Sequence, residues 1–167
     1  MSTMTDIKVT TTQVHRIYIK ATPEAIWDAI TKPEWSQKYG YGGNISYELE
    51  PGGRFVVGAS PEFLAAGAPD VIVDGEVIEA DPPRRLVQTW RMLMDPEMAE
   101  EGFTRLTYEI EPIQYGTRLT VTHELENAPK LAAMVAGKHE DQGAGGGWAW
   151  VLSDLKSLLE TGKPLAA

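Results

Sequence analysis

The chain has 167 residues, 43% of them hydrophobic and 23% charged, a balance typical of one globular domain rather than of a disordered segment. It contains no cysteine, which excludes disulfides, iron–sulfur clusters, zinc–thiolate sites and cysteine nucleophiles. With 15 Lys and Arg against 24 Asp and Glu, the formal charge is −9, which disfavours nucleic-acid binding and electrostatic docking on anionic membranes.

The N-terminal part predicts a tail, a strand and two short helices. Residues 1–12 lack the apolar run of a signal peptide, and no stretch is apolar enough to cross a bilayer, so we expect a cytoplasmic protein without membrane insertion. Residues 14–20 alternate as a strand does. Thr22 is a typical cap for a helix that Pro33 ends, and a second short helix is expected around Trp35.

The middle of the chain predicts a run of strands. The segments concerned are residues 45–49, 55–58, 71–80, 86–94, 103–110 and 118–125. Turn residues separate several of them, at positions 51–53, 81–83 and 114–116, and residues 59–69 form a longer connection. Because most connections between consecutive strands are short, the strands are expected to pair as an antiparallel meander.

The C-terminal part predicts helices. A short one is expected near residues 130–136, and a glycine-rich loop at residues 143–147 precedes the clearest helix of the chain. This last helix is expected to run for roughly fourteen residues from Gly147, with Asp154 off its apolar face and Gly162 as its C-cap. Its apolar stripe consists of Trp148, Leu152, Leu155 and Leu159.

Together these elements predict an α+β protein with a helix-grip architecture. A sheet must bury one face, and the C-terminal helix is its only large apolar partner. We therefore expect a curved antiparallel sheet of six or seven strands wrapped around the long C-terminal helix, with two short helices after the first strand. Residues 1–167 are expected to form a single domain, with a core at 14–160 and an N-terminal tail at 1–12.

Several local motifs, in order along the chain, resemble the START-like (Bet v1-like) fold of the SRPBCC superfamily. They are ATPEAIW at 21–27, PGGRF at 51–55, GEVIEADPPRRLV at 75–87 followed by TW at 89–90, GTRLTVTH at 116–123, and GW at 147–148 before the leucine stripe. Within that superfamily the chain resembles the family named for the activator of the heat-shock-protein-90 ATPase. The resemblance implies a fold that hosts ligand binders, cyclases and chaperone partners, so the family alone does not specify an activity.

One helix cannot fill the concave face of a strongly curved sheet, so we expect an apolar cavity between them. Period-two alternation places one set of side chains on the inward face of the last three long strands. Aromatic residues in nearby loops are further candidates. The predicted cavity residues are Tyr39, Tyr41, Phe55, Phe63, Gln88, Trp90, Met92, Leu106, Tyr108, His123, Trp148 and Leu152.

His123 is the residue whose chemistry is most open. Imidazole titrates near neutral pH, so His123 could be an acid, a base or a polar anchor in the cavity, with Tyr108 or Glu76 as partner. It could equally be a core histidine bonded to a neighbouring strand or to the closing helix. One histidine without an evident base partner is not a catalytic constellation.

Other chemistries lack their motifs. His15, His123 and His139 have no metal-site spacing, since the position four after His139 is Gly143, so no metal is expected. Ser60 and Ser153 lack the glycine elbow of a hydrolase nucleophile. The glycines before the last helix are not followed by a P-loop lysine, and no cofactor is expected.

Three functions remain open. The leading hypothesis is a binding protein for a small apolar, aromatic or lipid-like molecule. The second is a cyclase- or dehydratase-type enzyme, which would require a paired acid and base in the same cavity. The third, implied by the family name only, is a chaperone-partner role in stress response. The outer sheet face, with Val87 and Leu93, is compatible with a homodimer.

Overall fold

A computed structural model describes residues 11–142 and 146–165. Seven strands form one antiparallel sheet in the order β1-β7-β6-β5-β4-β3-β2. They are β1 (Thr12–Ile19), β2 (Asn44–Tyr47), β3 (Arg54–Gly58), β4 (Val71–Asp81), β5 (Arg85–Met92), β6 (Thr104–Ile113) and β7 (Gly116–Glu124). The curved sheet packs on a long C-terminal helix, so the predicted fold class is confirmed.

Six α-helices connect or close the sheet in this part of the chain. They are α1 (Pro23–Thr31), α2 (Pro33–Ser36), α3 (Pro61–Ala65), α4 (Pro96–Glu101), α5 (Pro129–Val135) and α6 (Gly147–Thr161), with a short 3₁₀ turn at Glu140–Gln142. Helices α3 and α4 were not expected. Their signal is a capping residue followed by proline: Ser60 Oγ accepts from Phe63 N at 3.2 Å, and Asp95 Oδ1 accepts from Glu97 N at 2.8 Å.

The first helix follows its sequence signals closely. Thr22 Oγ1 accepts a hydrogen bond from Ala25 N at 3.1 Å and so caps the first turn, as predicted. Helix α1 ends before Pro33, and its apolar face is buried through Ile26 and Ile30. The Tyr39 hydroxyl donates to Ala29 O at 2.8 Å and so ties the segment between α2 and β2 to this helix.

Helix α6 closes the concave face. Trp148, Leu152 and Leu155 are buried against the sheet as expected, and Gly162 ends the helix with a φ of 83°. Asp154 lies off the apolar stripe as expected, but its side chain is buried, at 2% exposed, which was not expected. Its carboxylate accepts from the backbone of two other segments that cover the helix.

The inward faces of β5, β6 and β7 agree with the alternation. Leu106 pairs with Gln88 on one side and with His123 on the other, and all three side chains are fully buried. On the outer face Val87 is also fully buried, between Glu79 and Thr107. Val87 is therefore not available to a dimer interface, which corrects that part of the prediction.

None of the helices in the described ranges is long and apolar enough to span a bilayer.

Candidate functional site

A cavity of about 220 Å³ lies between the concave face of the sheet, the segment 39–43 and the first turns of α6. Its walls are almost entirely apolar and aromatic. They are formed by Tyr39, Tyr41, Ile45, Val57, Phe63, Ile72, Val73, Trp90, Met92, Met94, Tyr108, Met134, Val135, Trp148 and Val151, together with Ser36 and glycines 40, 42, 43 and 147. Tyr41 and Met94 are 39% and 41% exposed, so the cavity reaches the surface beside them.

Seven of the twelve predicted residues line this cavity. They are Tyr39, Tyr41, Phe63, Trp90, Met92, Tyr108 and Trp148. The other five are buried in the core and are not among the residues that line the cavity, which corrects the prediction for Phe55, Gln88, Leu106, His123 and Leu152. Alternation along a strand or helix shows that a side chain points inward. It does not show whether that side chain packs in the close-packed core or borders the cavity.

The remaining wall residues were not predicted, and they lie both on other elements and beside predicted residues. On β4 both Ile72 and Val73 line the cavity, because the register with β3 shifts between Val57 and Gly58 and leaves an extra residue on β4. Val151 lies three residues after Trp148 on α6, a helical spacing that would have identified it.

His123 belongs to a series of hydrogen bonds within the core. Its Nδ1 accepts from the Trp148 indole N–H at 3.1 Å, so the ring proton lies on Nε2, which donates to Thr104 Oγ1 at 2.8 Å. The Thr104 hydroxyl donates in turn to the Trp90 carbonyl at 2.8 Å. Burial lowers the pKa of His123 to about 3, so the imidazole is neutral at physiological pH.

This geometry corrects the cavity role considered for His123. Both ring nitrogens have partners inside the core, and His123 is not among the residues that line the cavity. Glu76, considered as a partner, is on the exposed face of β4. His123 is thus a core histidine that connects β7 to α6 and β6.

The phenols around the cavity differ in their bonding. Tyr39 donates to Ala29 O at 2.8 Å, Tyr41 accepts from Gly147 N at 3.2 Å, and Tyr47 donates to the buried Gln88 amide oxygen. The Tyr108 hydroxyl has no hydrogen-bond partner among the described residues, although Tyr108 lines the cavity. Burial raises the pKa of Tyr39, Tyr47 and Tyr108, so these phenols remain protonated.

The segment 39–43 is a fixed wall. Gly40 N donates to Asp154 Oδ2 at 2.8 Å, and Asp154 Oδ1 accepts from Leu165 N at 2.6 Å. Ser36 Oγ donates to Gly43 O at 2.8 Å and accepts from Ile45 N at 3.2 Å. One buried carboxylate therefore connects α6, this wall and the C-terminal segment.

The lining offers contact area and hydrogen bonds rather than acid–base groups. Among the described lining residues there is no histidine, carboxylate, amine or guanidinium. Within residues 11–142 and 146–165, no three His, Asp or Glu side chains are grouped as metal ligands would be.

Comparison with known proteins assigns the family. The sequence profile described as "Activator of Hsp90 ATPase homolog 1-like protein" matches residues 20–160. The chain belongs to this family. The resemblance seen in the sequence motifs is confirmed by this match.

Several solved structures share the fold of this chain. A protein from Mesorhizobium loti is 22% identical with a TM-score of 0.64, covering 89% of this chain and 96% of its own. The Aha1 dimer from Colwellia psychrerythraea is 24% identical with a TM-score of 0.63, covering 91% and 98%. DynU16, from the dynemicin biosynthetic locus, is 22% identical with a TM-score of 0.64, covering 93% of this chain and 49% of its own.

At these identities the likeness concerns the fold alone. No protein of curated function matches the chain.

Proposed function

We propose that this protein binds a small, predominantly apolar molecule in the cavity under α6. The observation that carries the proposal is the cavity itself: about 220 Å³ of space, walled by aromatic and aliphatic side chains and open beside Tyr41 and Met94. An apolar cavity of roughly 150 Å³ in another protein holds benzene. The space here is therefore suited to one ring or two fused rings, about ten non-hydrogen atoms.

The walls suit such a ligand on two sides. Trp90 and Trp148 present aromatic surface from β5 and α6, where flat molecules can stack or pack edge-on. Met92, Met94 and Met134 contribute thioether side chains, which adapt to irregular shapes at low cost. Together they favour a ligand recognised mainly by apolar contact.

Binding is favoured over catalysis by the same cavity. A cyclase- or dehydratase-type reaction needs a proton donor and a proton acceptor directed at the substrate. The described lining contains phenols but no base, and the histidine considered for that role is bonded within the core. The likeness to DynU16 does not alter this, because it extends only to the fold.

A chaperone-partner role has less support. The family description refers to the Hsp90 ATPase, but apart from Val14 and Tyr18 on β1 the exposed large hydrophobic residues in the described part of the chain belong mostly to different elements and loops. A docking surface is normally a contiguous apolar patch.

Titration with tetralin, followed by tryptophan fluorescence or calorimetry, tests the proposal. We expect saturable binding that Trp90→Ala weakens by about 1–3 kcal/mol, because the indole is part of the wall. Trp150→Ala is the control, since Trp150 lies on α6 outside the cavity lining and should leave the affinity unchanged. Absence of any binding to the wild-type protein, or equal losses in both variants, would contradict the proposal.

A further inference from the structure

The free hydrogen-bonding groups of the cavity restrict the chemistry of the ligand. Most polar side chains around it are already engaged: Tyr39 with Ala29 O, Tyr41 with Gly147 N, and Ser36 with Gly43 O and Ile45 N. Two lining groups make no side-chain hydrogen bond to the described residues, the Tyr108 hydroxyl and the Trp90 indole N–H, whereas the Tyr41 hydroxyl accepts one bond and keeps its own proton. Neither atom is among the fully buried polar atoms that lack a partner, so both face accessible space, and a ligand that bonds them would replace water there.

Both unpartnered groups are suited to donate. An indole N–H can only donate, and a phenol that burial keeps protonated donates readily. Tyr108 projects from β6 and packs edge-on against Trp148, with 6.2 Å between the ring centroids. Because Tyr108 lines the cavity and its hydroxyl is accessible, a ligand ring in this space can come within reach of that hydroxyl.

The charges around the cavity disfavour an anionic ligand. No Lys or Arg is among the described lining residues, and the chain as a whole carries a formal charge of −9. The charges that act on the lining are negative: the Asp154 carboxylate binds Gly40 N behind the wall, and Glu140 raises the pKa of Tyr41 after burial does. A carboxylate or phosphate entering this space would lose its hydration without gaining a counter-charge.

We propose that the ligand is an uncharged molecule of one or two rings that carries a carbonyl oxygen, and that the Tyr108 hydroxyl donates a hydrogen bond to this oxygen. This inference rests on the proposed function and adds to it the hydrogen bond by which the protein would recognise a polar group of the ligand. Tyr108 then decides specificity, while the apolar walls supply most of the affinity.

Three probes of similar size distinguish the possibilities: tetralin, its ketone α-tetralone, and naphthoate. We expect α-tetralone to bind the wild-type protein about three- to tenfold more tightly than tetralin, the usual gain from one neutral hydrogen bond, and naphthoate to bind most weakly. In Tyr108→Phe the preference for the ketone should disappear while tetralin binding stays within about twofold.

Tyr115→Phe is the matched control, because Tyr115 is 80% exposed on the turn between β6 and β7 and should keep the full preference. The unliganded Tyr108→Phe variant should also unfold at the same or a higher urea concentration than the wild type, because it loses a hydroxyl without a partner.

The outcomes separate this inference from the proposed function. Equal binding of tetralin and α-tetralone, a ketone preference that survives in Tyr108→Phe, or tightest binding of naphthoate would overturn the inference while leaving a ligand cavity. If none of the three probes binds the wild-type protein, the proposed function itself fails.

Discussion

His123 carries a structural role through two hydrogen bonds. It accepts from Trp148 Nε1 and donates to Thr104 Oγ1, and so holds the first turn of α6 against β6 and β7. The aromatic rings on either side enclose it, with Trp90 and Trp148 centroids at 5.4 Å and 6.0 Å. A substitution here should thus change stability and leave ligand selectivity unaffected.

His123→Phe is expected to lower the free energy of unfolding by about 1–3 kcal/mol, because the Trp148 indole N–H is left buried without an acceptor. Urea unfolding measures this loss. Thr104→Val keeps the side-chain volume and the Trp148 bond but leaves the His123 Nε2–H without an acceptor, so it should cost a comparable amount. A change in the ratio of α-tetralone to tetralin affinity in His123→Phe would instead indicate that the imidazole faces the ligand.

The depressed pKa of His123 predicts acid sensitivity. Burial lowers this pKa to about 3 in the folded protein, whereas an unfolded histidine titrates near 6.5. Below pH 6.5 His123 binds a proton in the unfolded chain but not in the folded protein. The free energy of unfolding is therefore highest above pH 6.5 and decreases as the pH is lowered. The expected slope approaches about 1.4 kcal/mol per pH unit.

Between pH 6.5 and 5, before carboxylates titrate appreciably, urea unfolding of the wild type should show this slope. His123→Gln should remove most of it. His15 contributes in the same direction, since partial burial lowers its pKa too, and His15→Gln is the control with the smaller change. A wild-type slope that persists in His123→Gln would show that another group is responsible.

At the scale of elements, α6 is covered on two sides. Its apolar stripe packs on the sheet, and Leu158 is buried with it, while Leu159 is only partly buried. Off this stripe, the Asp154 carboxylate accepts hydrogen bonds from the backbone N–H groups of Gly40 and Leu165. The helix therefore positions both the core and the wall of the cavity.

Leu155→Ala is expected to cost about 2–5 kcal/mol, the usual effect of truncating a buried leucine. Asp154→Ala should cost a comparable amount, about 2–3 kcal/mol, because two backbone donors lose a charged acceptor. Ser153→Ala, on the exposed side of the same turn, should be nearly neutral. Urea titrations of the three variants give the comparison, and a neutral Asp154→Ala would contradict the role assigned to this carboxylate.

At the scale of the whole molecule, we propose that residues 1–167 behave as one cooperative unit. The sheet joins β1 near the N-terminus to β7, and Lys20 N donates to Glu160 on α6 at 2.8 Å. Tryptophan fluorescence and far-ultraviolet circular dichroism should report coincident urea transitions with a single midpoint. Two separated transitions would show that part of the chain folds independently.

The sequence alone predicted the order of the seven strands and of the helices other than α3 and α4, and most of their faces. Alternation on β5, β6 and β7 identified buried side chains correctly, because a strand has only two faces and one of them must meet the core. The predictions made from Thr22, Gly162 and the apolar stripe of α6 were also correct. Capping and helical spacing depend only on residues a few positions apart in the chain. Ser60 and Asp95 carried equally local signals for α3 and α4.

Only the tertiary structure decided which interior positions are filled and which border a cavity. His123 and Tyr108 have the same alternation on neighbouring strands, yet one is bonded to Trp148 and the other faces open space. Asp154 has the local context of a solvated helix residue, but its partner Gly40 lies 114 positions away. Periodicity within one element contains no information on such partners, because sheet curvature and the placement of α6 bring them together.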